Sequence, residues 1–521
     1  MIKVIDIFAG PGGLSEGFLA VNDNKGKAVF DVALSIEKDS IACKTLRLRS
    51  FFRRCEASIP IDYYRFIRGE IDLDSLYEVH PHQAKQSVDH CWNATLGPGG
   101  ESQDLVNLRI REKVKNLSDW VLIGGPPCQA YSIAGRSRNL GNPDYDPTKD
   151  VRQHLYLEYL QILAEHRPAV FIIENVKGLL SATLDNKRLF HRILEDLRDP
   201  ADAVNREGRS NKRIRKGFYQ IYSICEGKVL DDDNPQAAVV EMEKYGVPQA
   251  RHRVILLGIR DDITSVNPMV LKQQPAVTAA EVLLGLPELR SGISPAHCDS
   301  AKTWQAYLKS QVTSRWANAG TKKADSEELS LFIRETLREI DVPESDRGGE
   351  FVKKHSACGY NSAWYCDDHI GGVCNHSSRS HMKSDLLRYM YASSFAFLNK
   401  VSPHLSDFPV DLLPDHGNVN TAITNGHFSD RFRVQLYGRP SSTIVSHISK
   451  DGHYYIHPDP KQCRSLTVRE AARLQTFPDN YFFCGPRTAQ YTQVGNAVPP
   501  LLAKQIGEIV FNILKQAGSN V

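Results

Sequence analysis

The apolar run Trp120-Val121-Leu122-Ile123 stops at Gly124-Gly125-Pro126-Pro127 and gives way to Cys128-Gln129-Ala130-Tyr131. Four apolar residues bounded by turn formers read as a short buried strand. Two glycines and two prolines then force a rigid turn, so the Cys128 thiol stands at the mouth of the strand with little freedom. A cysteine at the carboxyl edge of a sheet is placed to attack a ligand bound there. Taken alone, Cys128 also fits a buried structural cysteine, because free cysteines are among the most buried residue types.

Four further segments join an apolar strand to a glycine-rich or polar edge. Val4-Ile5-Asp6-Ile7-Phe8 runs into Ala9-Gly10-Pro11-Gly12-Gly13-Leu14, where glycines let backbone amides approach a ligand. The second strand, Asp31 to Ile36, ends in Glu37, an acid at the distance from the glycine turn that suits ribose hydroxyls. The spacing is not the dinucleotide GxGxxG pattern, which disfavours a nicotinamide cofactor. Ala169 to Val176 ends in Glu174-Asn175. An acid kept neutral there by an apolar site can donate a proton, whereas the bland reading is a capping or solvent-facing carboxylate. Gln249-Ala250-Arg251-His252-Arg253 leads into Val254-Ile255-Leu256-Leu257-Gly258. Arginines two apart in a strand point the same way, towards a phosphate, a base carbonyl or simply solvent.

In this order the segments resemble the carbon-5 cytosine-specific DNA methyltransferases of bacterial modification systems. The cofactor motif is Asp6 to Gly13, the nucleophile motif Gly125-Pro126-Pro127-Cys128-Gln129, the third Glu174-Asn175-Val176 and the fourth Gln249 to Arg253. Two more lie downstream, Arg464 to Pro478 and Gln493-Val494-Gly495-Asn496-Ala497-Val498-Pro499-Pro500. The resemblance covers the first 260 or so residues, with gaps, and the last 60 or so. One family feature lacks a clean counterpart, the acidic cofactor contact between the second strand and the Pro-Cys loop; Asp104 is the nearest acid.

The resemblance implies a doubly wound, mostly parallel α/β sheet of the S-adenosylmethionine-dependent methyltransferase fold, with a second, smaller target-recognition domain. Alternation of strands with helical stretches over residues 1–266 agrees with such a sheet. Mixed polar and aromatic sequence interrupts it at about 49–105, and the rhythm fails over 267–456, the expected target-recognition domain. The return segment 457–521 would complete the catalytic domain, with a terminal helix opened by prolines. Gly135 to Asp150 reads as a loop able to close over DNA, and Arg206 to Lys216 as a basic surface loop.

The family chemistry follows from cytosine itself. Carbon 5 is a poor nucleophile until a thiolate adds at carbon 6, which makes carbon 5 enamine-like. It then accepts the methyl group of S-adenosylmethionine; loss of the carbon-5 proton and expulsion of the thiol restore the ring. The resemblance assigns Cys128 as nucleophile, Glu174 to ring nitrogen 3, Arg253 to the base carbonyl and Arg251 as a nearby clamp. Asn175 would order the loop. Phe8, Gly10, Gly12, Leu14, Glu37, Pro127 and Asn496 would line the cofactor site. The cytosine must leave the duplex, at a cost of a few kcal/mol.

The implied partner is double-stranded DNA, with a cognate restriction endonuclease acting separately and the protein itself a monomer. A net charge of +3 on 521 residues leaves DNA affinity to local patches. Eleven cysteines, an odd number without regular dense spacing, indicate a reducing compartment. With no charged-plus-apolar leader and no long apolar run, the expected location is cytoplasmic and nucleoid-associated. His355, Cys358, Cys366, His369, Cys374, His376 and His381 crowd together but lack the Cys pairs of a zinc site, so no metal is assigned. Two rivals stand beside this reading: a transfer-RNA cytosine methyltransferase, and a non-enzymatic DNA-binding protein on the same scaffold. The long recognition region opposes the first and intact Cys128, Glu174 and Arg253 the second. The target sequence is not legible.

Overall fold

The computed structural model describes residues 1–55, 58–115, 117–127, 151–184, 187–208, 217–264, 266–318, 326–415 and 430–518. Cys128 and the segment from it to Asp150 lie outside these residues, as do 209–216 of the basic loop. The chain divides into two compact units. The first comprises 1–57, 80–275 and 497–521, the second 58–79 and 276–496.

The first unit is built on one sheet. Its strands are β1 (Ile2–Ile7), β2 (Phe30–Glu37), β3 (Cys91–Asn93), β4 (Val121–Gly124), β5 (Val170–Val176), β6 (Tyr219–Ser223), β7 (Val239–Glu241) and β8 (His252–Arg260). Their order is β3-β2-β1-β4-β5-β8-β6, with β7 also paired to β8. The pairs from β3 to β5 are all parallel, and β8 runs antiparallel to β5, β6 and β7. A single reversed strand therefore interrupts an otherwise parallel sheet, as expected of the doubly wound class.

Apolar residues cover both faces, which is why the strands read as continuous apolar runs rather than alternating ones. Ile5, Ile7, Leu34 and Leu122 pack on one side with Ile110, Tyr159, Leu163 and Phe190. Val4, Val32, Val121 and Ile123 pack on the other with Phe18, Leu502, Ile506 and Val510. The helix Pro500–Gln516 carries Leu502, Ile506 and Val510 and lies against the helix Gly13–Leu19, which carries Phe18. The approach is close enough that a Cβ on Gly13 would stand 2.1 Å from the Val498 carbonyl oxygen, so only glycine fits there. The stretch 487–516 is apolar enough to span a membrane by length and composition, contrary to the sequence expectation. It is two helices broken at 497–499, and two-thirds of its most apolar window is buried in protein, as core helices are.

The second unit has its own core, where Trp304, Leu308, Ile333 and Leu337 meet Leu386, Tyr389 and Met390. Buried arginines tie its loops together. Arg464 pairs with Glu470 at 2.6 Å and Arg473 with Asp479 at 2.6 Å, while Arg469 donates to the carbonyls of Cys374, Pro478 and Tyr481.

These units differ from the sequence boundaries at 266 and 457. Residues up to Pro275 stay with the sheet because Leu271 and Gln274 donate backbone bonds to Ile224 and Lys244. Residues 457–496 belong to the second unit because Arg464 reaches the Leu289 carbonyl and Arg473 those of Val282 and Ala357. The excursion expected at 49–105 is narrower. Its start finishes the helix Ser40–Arg54, and its later part supplies the helix Pro81–His90 and the edge strand β3. Only 58–79 leaves the sheet unit.

Candidate functional site

The strand order reverses its direction of growth between β1 and β4, and in open α/β sheets ligands bind at the carboxyl edge at such a point. The glycine-rich loop after β1 and the Gly125-Pro126-Pro127 turn after β4 both stand at that edge. β8 begins there too, because it is antiparallel: Arg253 pairs in register with Val176 and Ile255 with Glu174. Reversing this one strand is what brings its first residues beside the last residues of β5.

Glu174 and Arg253 face each other with Oε1 3.1 Å from Nε, each side chain 13 % exposed. The other carboxylate oxygen leans over the nucleophile turn, since a Cβ on Gly125 would lie 3.2 Å from Oε2. An acid, a guanidinium and the turn that leads into Cys128 are thus adjacent within the first unit. Asn175 caps the next amide, its Oδ1 accepting from Val176 N at 2.8 Å. Arg251 is almost fully buried, more so than Arg253. Pro127 is half-buried, the last described residue before Cys128.

At the neighbouring loop Glu37 is already engaged: Gly10 N donates to Oε2 at 2.8 Å and Asp39 N to Oε1 at 2.7 Å. Each oxygen keeps a second lone pair for a hydroxyl donor. Burial pushes the Glu37 pKa up, against those amide bonds. Phe8, Gly10 and Gly12 all have positive φ, at 56°, 57° and 94°, which curls the chain around this edge. Leu14 is buried in the core with Phe18 and Val498, so any ligand contact it makes falls to its backbone.

One residue here stands in the sequence reading only as the start of the cofactor motif, with no role given. Asp6, on β1, is 1 % exposed, and Ser15 Oγ donates to its Oδ2. Its Oδ1 is buried and has no hydrogen-bond partner among the described residues. Burial, with Glu37 adding repulsion against the Ser15 bond, pushes its pKa up to about 7. A buried carboxylate lacking a donor is costly unless a cation or donor completes it. Asn93, at the end of β3, was also unforeseen; its Nδ2 donates to the carbonyls of Glu37 and Lys38 at 3.0 and 2.9 Å and braces them. A three-residue strand leaves too little pattern to be read. Asp104 is exposed in the first turn of the helix Gln103–Val114. Asn496 is the exposed last residue of the helix Arg487–Asn496, in the second unit.

The Cys/His segment is built into the second unit. His376 has both ring nitrogens engaged, with Thr467 Oγ1 and the Pro287 carbonyl, and Cys374 meets the Arg469 guanidinium. Among the described residues no group of three or more His, Cys, Asp or Glu side chains is arranged to hold a metal ion.

Sheet order and reversed strand define a methyltransferase-type α/β fold. A solved structure of a candidate DNA modification methyltransferase encoded within an Escherichia coli prophage shares it, at a TM-score of 0.50 and 20 % identity over 99 % of this chain and 100 % of that one. The profile of the C-5 cytosine-specific DNA methylases matches residues 94–200 and 234–512. Type II methyltransferase M.Bpa9945I of Bacillus paralicheniformis is 30 % identical over 98 % of this chain and 99 % of its own. DNA (cytosine-5-)-methyltransferase M.ApeKI of Aeropyrum pernix is 28 % identical over 76 % and 81 %. The chain belongs to the C-5 cytosine-specific DNA methylase family, and its activity is DNA (cytosine-5-)-methyl transfer.

Proposed function

We propose that Cys128 is the nucleophile for a cytosine flipped out of duplex DNA, with Glu174 and Arg253 holding the base. The observation that carries this is the Glu174–Arg253 pair leaning over Gly125, three residues before the thiol. Glu174 hydrogen-bonds ring nitrogen 3 and draws electrons from carbon 6, where the thiolate adds. Arg253 fixes the base carbonyl and keeps the acid oriented. Arg251, deeper in the protein, supports Arg253 rather than touching the base.

S-adenosylmethionine, the methyl donor implied by family and fold, supplies an electrophilic methyl group on a sulfonium. The residues at the β1 edge suit a cationic, ribose-bearing ligand. Asp6 offers a buried carboxylate oxygen with no donor among the described residues, Glu37 offers lone pairs to hydroxyls, and the Phe8 to Gly12 turn presents backbone. Leu14 and Pro127 complete the proposed lining in the first unit, and Asn496 is assigned to the cofactor by its place in the Gln493 to Pro500 motif. The relatives named as type II methyltransferases support a role in restriction-modification; an endonuclease acting separately and a cytoplasmic, nucleoid-associated monomer belong to the same proposal.

Bisulfite sequencing of DNA from a host expressing the protein defines the target. A duplex carrying 5-fluorocytosine there should then give a denaturation-resistant adduct, only with S-adenosylmethionine present, since fluorine cannot leave as a proton does. Cys128→Ala should abolish adduct and methylation. An adduct formed by the alanine variant removes Cys128 from its role, and methylation of transfer RNA in place of duplex DNA would reverse the substrate assignment.

A further inference from the structure

The second unit holds arginines in excess of the carboxylates that face them. Arg487 Nη1 donates to the Ser378 carbonyl at 2.6 Å and Arg347 Nη2 reaches the same oxygen at 3.4 Å, so two guanidiniums share one acceptor. Arg379, next in the chain after Ser378, lies over the Tyr491 ring with its Cζ 4.1 Å from the centroid. Arg347 is balanced by Asp299 at 2.8 Å, an acid it shares with Arg290. Among the described residues neither Arg379 nor Arg487 has a carboxylate within ion-pair distance. Arg379 spends its charge on the carbonyls of Lys450 and Ile448 and is 7 % exposed, so it is a brace for that loop and not a surface contact. Glu350, exposed on a neighbouring strand, is occupied by the amides of Asn375 and Gln490.

Arg487 is thus the cation left over. It is half-buried, and only one of its five N–H groups has an acceptor among the described residues. It is also the first residue of the ten-residue helix Arg487–Asn496, where the macrodipole is positive and a cation is normally disfavoured. The hydroxyl of Ser378, the residue whose carbonyl Arg487 holds, is fully buried without a partner among the described residues. Burial, with the charges of Arg379 and Arg347, outweighs the opposing pull of Tyr491 and Glu350 and pushes the Arg487 pKa down.

We propose that Arg487, at this helix start and backed by Arg347, seats one backbone phosphodiester of the DNA substrate. The inference rests on duplex DNA being the substrate. A phosphodiester takes two parallel N–H donors from one guanidinium and gains from the helix end, with no dependence on base identity.

The test is equilibrium binding of a 30-base-pair duplex of random sequence over a salt series. Arg487→Gln should weaken binding about 10-fold and reduce the slope of log K against log salt by about one, with S-adenosylmethionine affinity unchanged. Arg487→Lys should keep the slope. Thr488→Glu, at an exposed first-turn position where an acid favours the helix, should keep the melting temperature and weaken the duplex as Arg487→Gln does. Thr488→Glu therefore decides the matter even if Arg487→Gln does not fold. Unchanged affinity and slope in the folded variants overturn the proposal while leaving methyl transfer intact. Two other results also overturn it: a loss confined to one base position of the methylated motif, or stabilisation by inorganic phosphate that needs Arg487 while duplex affinity does not. Failure of the wild type to methylate any duplex would instead sink the substrate reading.

Discussion

Glu174 at the end of β5 and Arg253 at the start of β8 meet at the only antiparallel edge of β5, Oε1 to Nε 3.1 Å. Each is mostly shielded from water, so removing either leaves the other as a poorly compensated charge. Glu174→Gln keeps the shape and removes the acid. Turnover should fall about 100-fold or more, the scale of a lost general acid. Arg253→Ala should lose a similar factor, and the double variant should lose far less than the product, since the pair acts as one unit. Steady-state kinetics on the mapped target, beside S-adenosylmethionine binding that barely changes, are the check. A kcat for Glu174→Gln within threefold of wild type would rule out general acid catalysis by this residue.

Asp6 makes a pH prediction. Its pKa rises from 3.8 in the unfolded chain to about 7 in the fold. The native state therefore holds a proton that the unfolded state has released, and stability falls as pH rises from about 4 to about 7, then levels. The full shift is worth on the order of 4 kcal/mol. Asp6→Asn should remove that slope and be more stable than wild type at pH 8 without S-adenosylmethionine, by denaturant unfolding. It should also bind S-adenosylmethionine more weakly if a cationic ligand group completes Oδ1. Parallel stability curves for wild type and Asp6→Asn between pH 5 and 8 would show that Asp6 titrates normally.

Glu16 shows the opposite case. The residue is buried on the helix Gly13–Leu19, and burial alone would raise its pKa. Arg49 and Arg53 on the helix Ser40–Arg54 outweigh that and hold it down to about 2. Its contribution is present above the ordinary carboxylate range and is lost as pH falls towards 2. Glu16→Gln removes the carboxylate shared by two guanidiniums, one 7 % and one 18 % exposed, and should destabilise by about 3–5 kcal/mol at pH 7. A melting temperature within 2 °C of wild type, well inside the roughly 2–4 °C expected per kcal/mol for a domain of this size, would contradict this.

The sheet was legible because its strands are buried on both faces, so Val121-Leu122-Ile123 and Ile172-Ile173 advertise themselves as apolar runs ending in polar edges. Glu37 and Glu174 stood out as acids at those ends. Asp6 did not, because an aspartate inside an apolar run gives no local sign that its oxygen lacks a donor; only the packed strand shows that. Arg379 is buried and bonded to two carbonyls, a tertiary fact no spacing reveals. The segment 457–496 was assigned to the sheet by motif order, while its arginines bind carbonyls far upstream in the second unit.

The excursion at 58–79 yields the last prediction, about moving specificity between relatives. Within the second unit Tyr63 donates to the Asn480 carbonyl at 2.9 Å, Tyr64 to Asp367 at 3.0 Å, and Arg68 to the His369 carbonyl at 3.3 Å. Tyr64 also stacks on His369, and Phe66 meets Phe482 edge-on. The short helix Ile61–Ile67, close to the amino terminus, is thus fastened to residues some 300–400 positions later. Replacing 276–496 alone with a relative's sequence severs these contacts, and losing several aromatic pairs and hydrogen bonds together should cost several kcal/mol. Replacing 58–79 and 276–496 together keeps them matched. The joint chimera should therefore melt near the parents and methylate the donor's motif, while the single exchange should melt at least 5 °C lower. Thermal unfolding and genome-wide mapping of methylated sites read both effects. Equal stability of the two chimeras would mean that 58–79 is not part of the recognition unit's fold. An active joint chimera that still methylates the original motif would place specificity in the sheet unit instead.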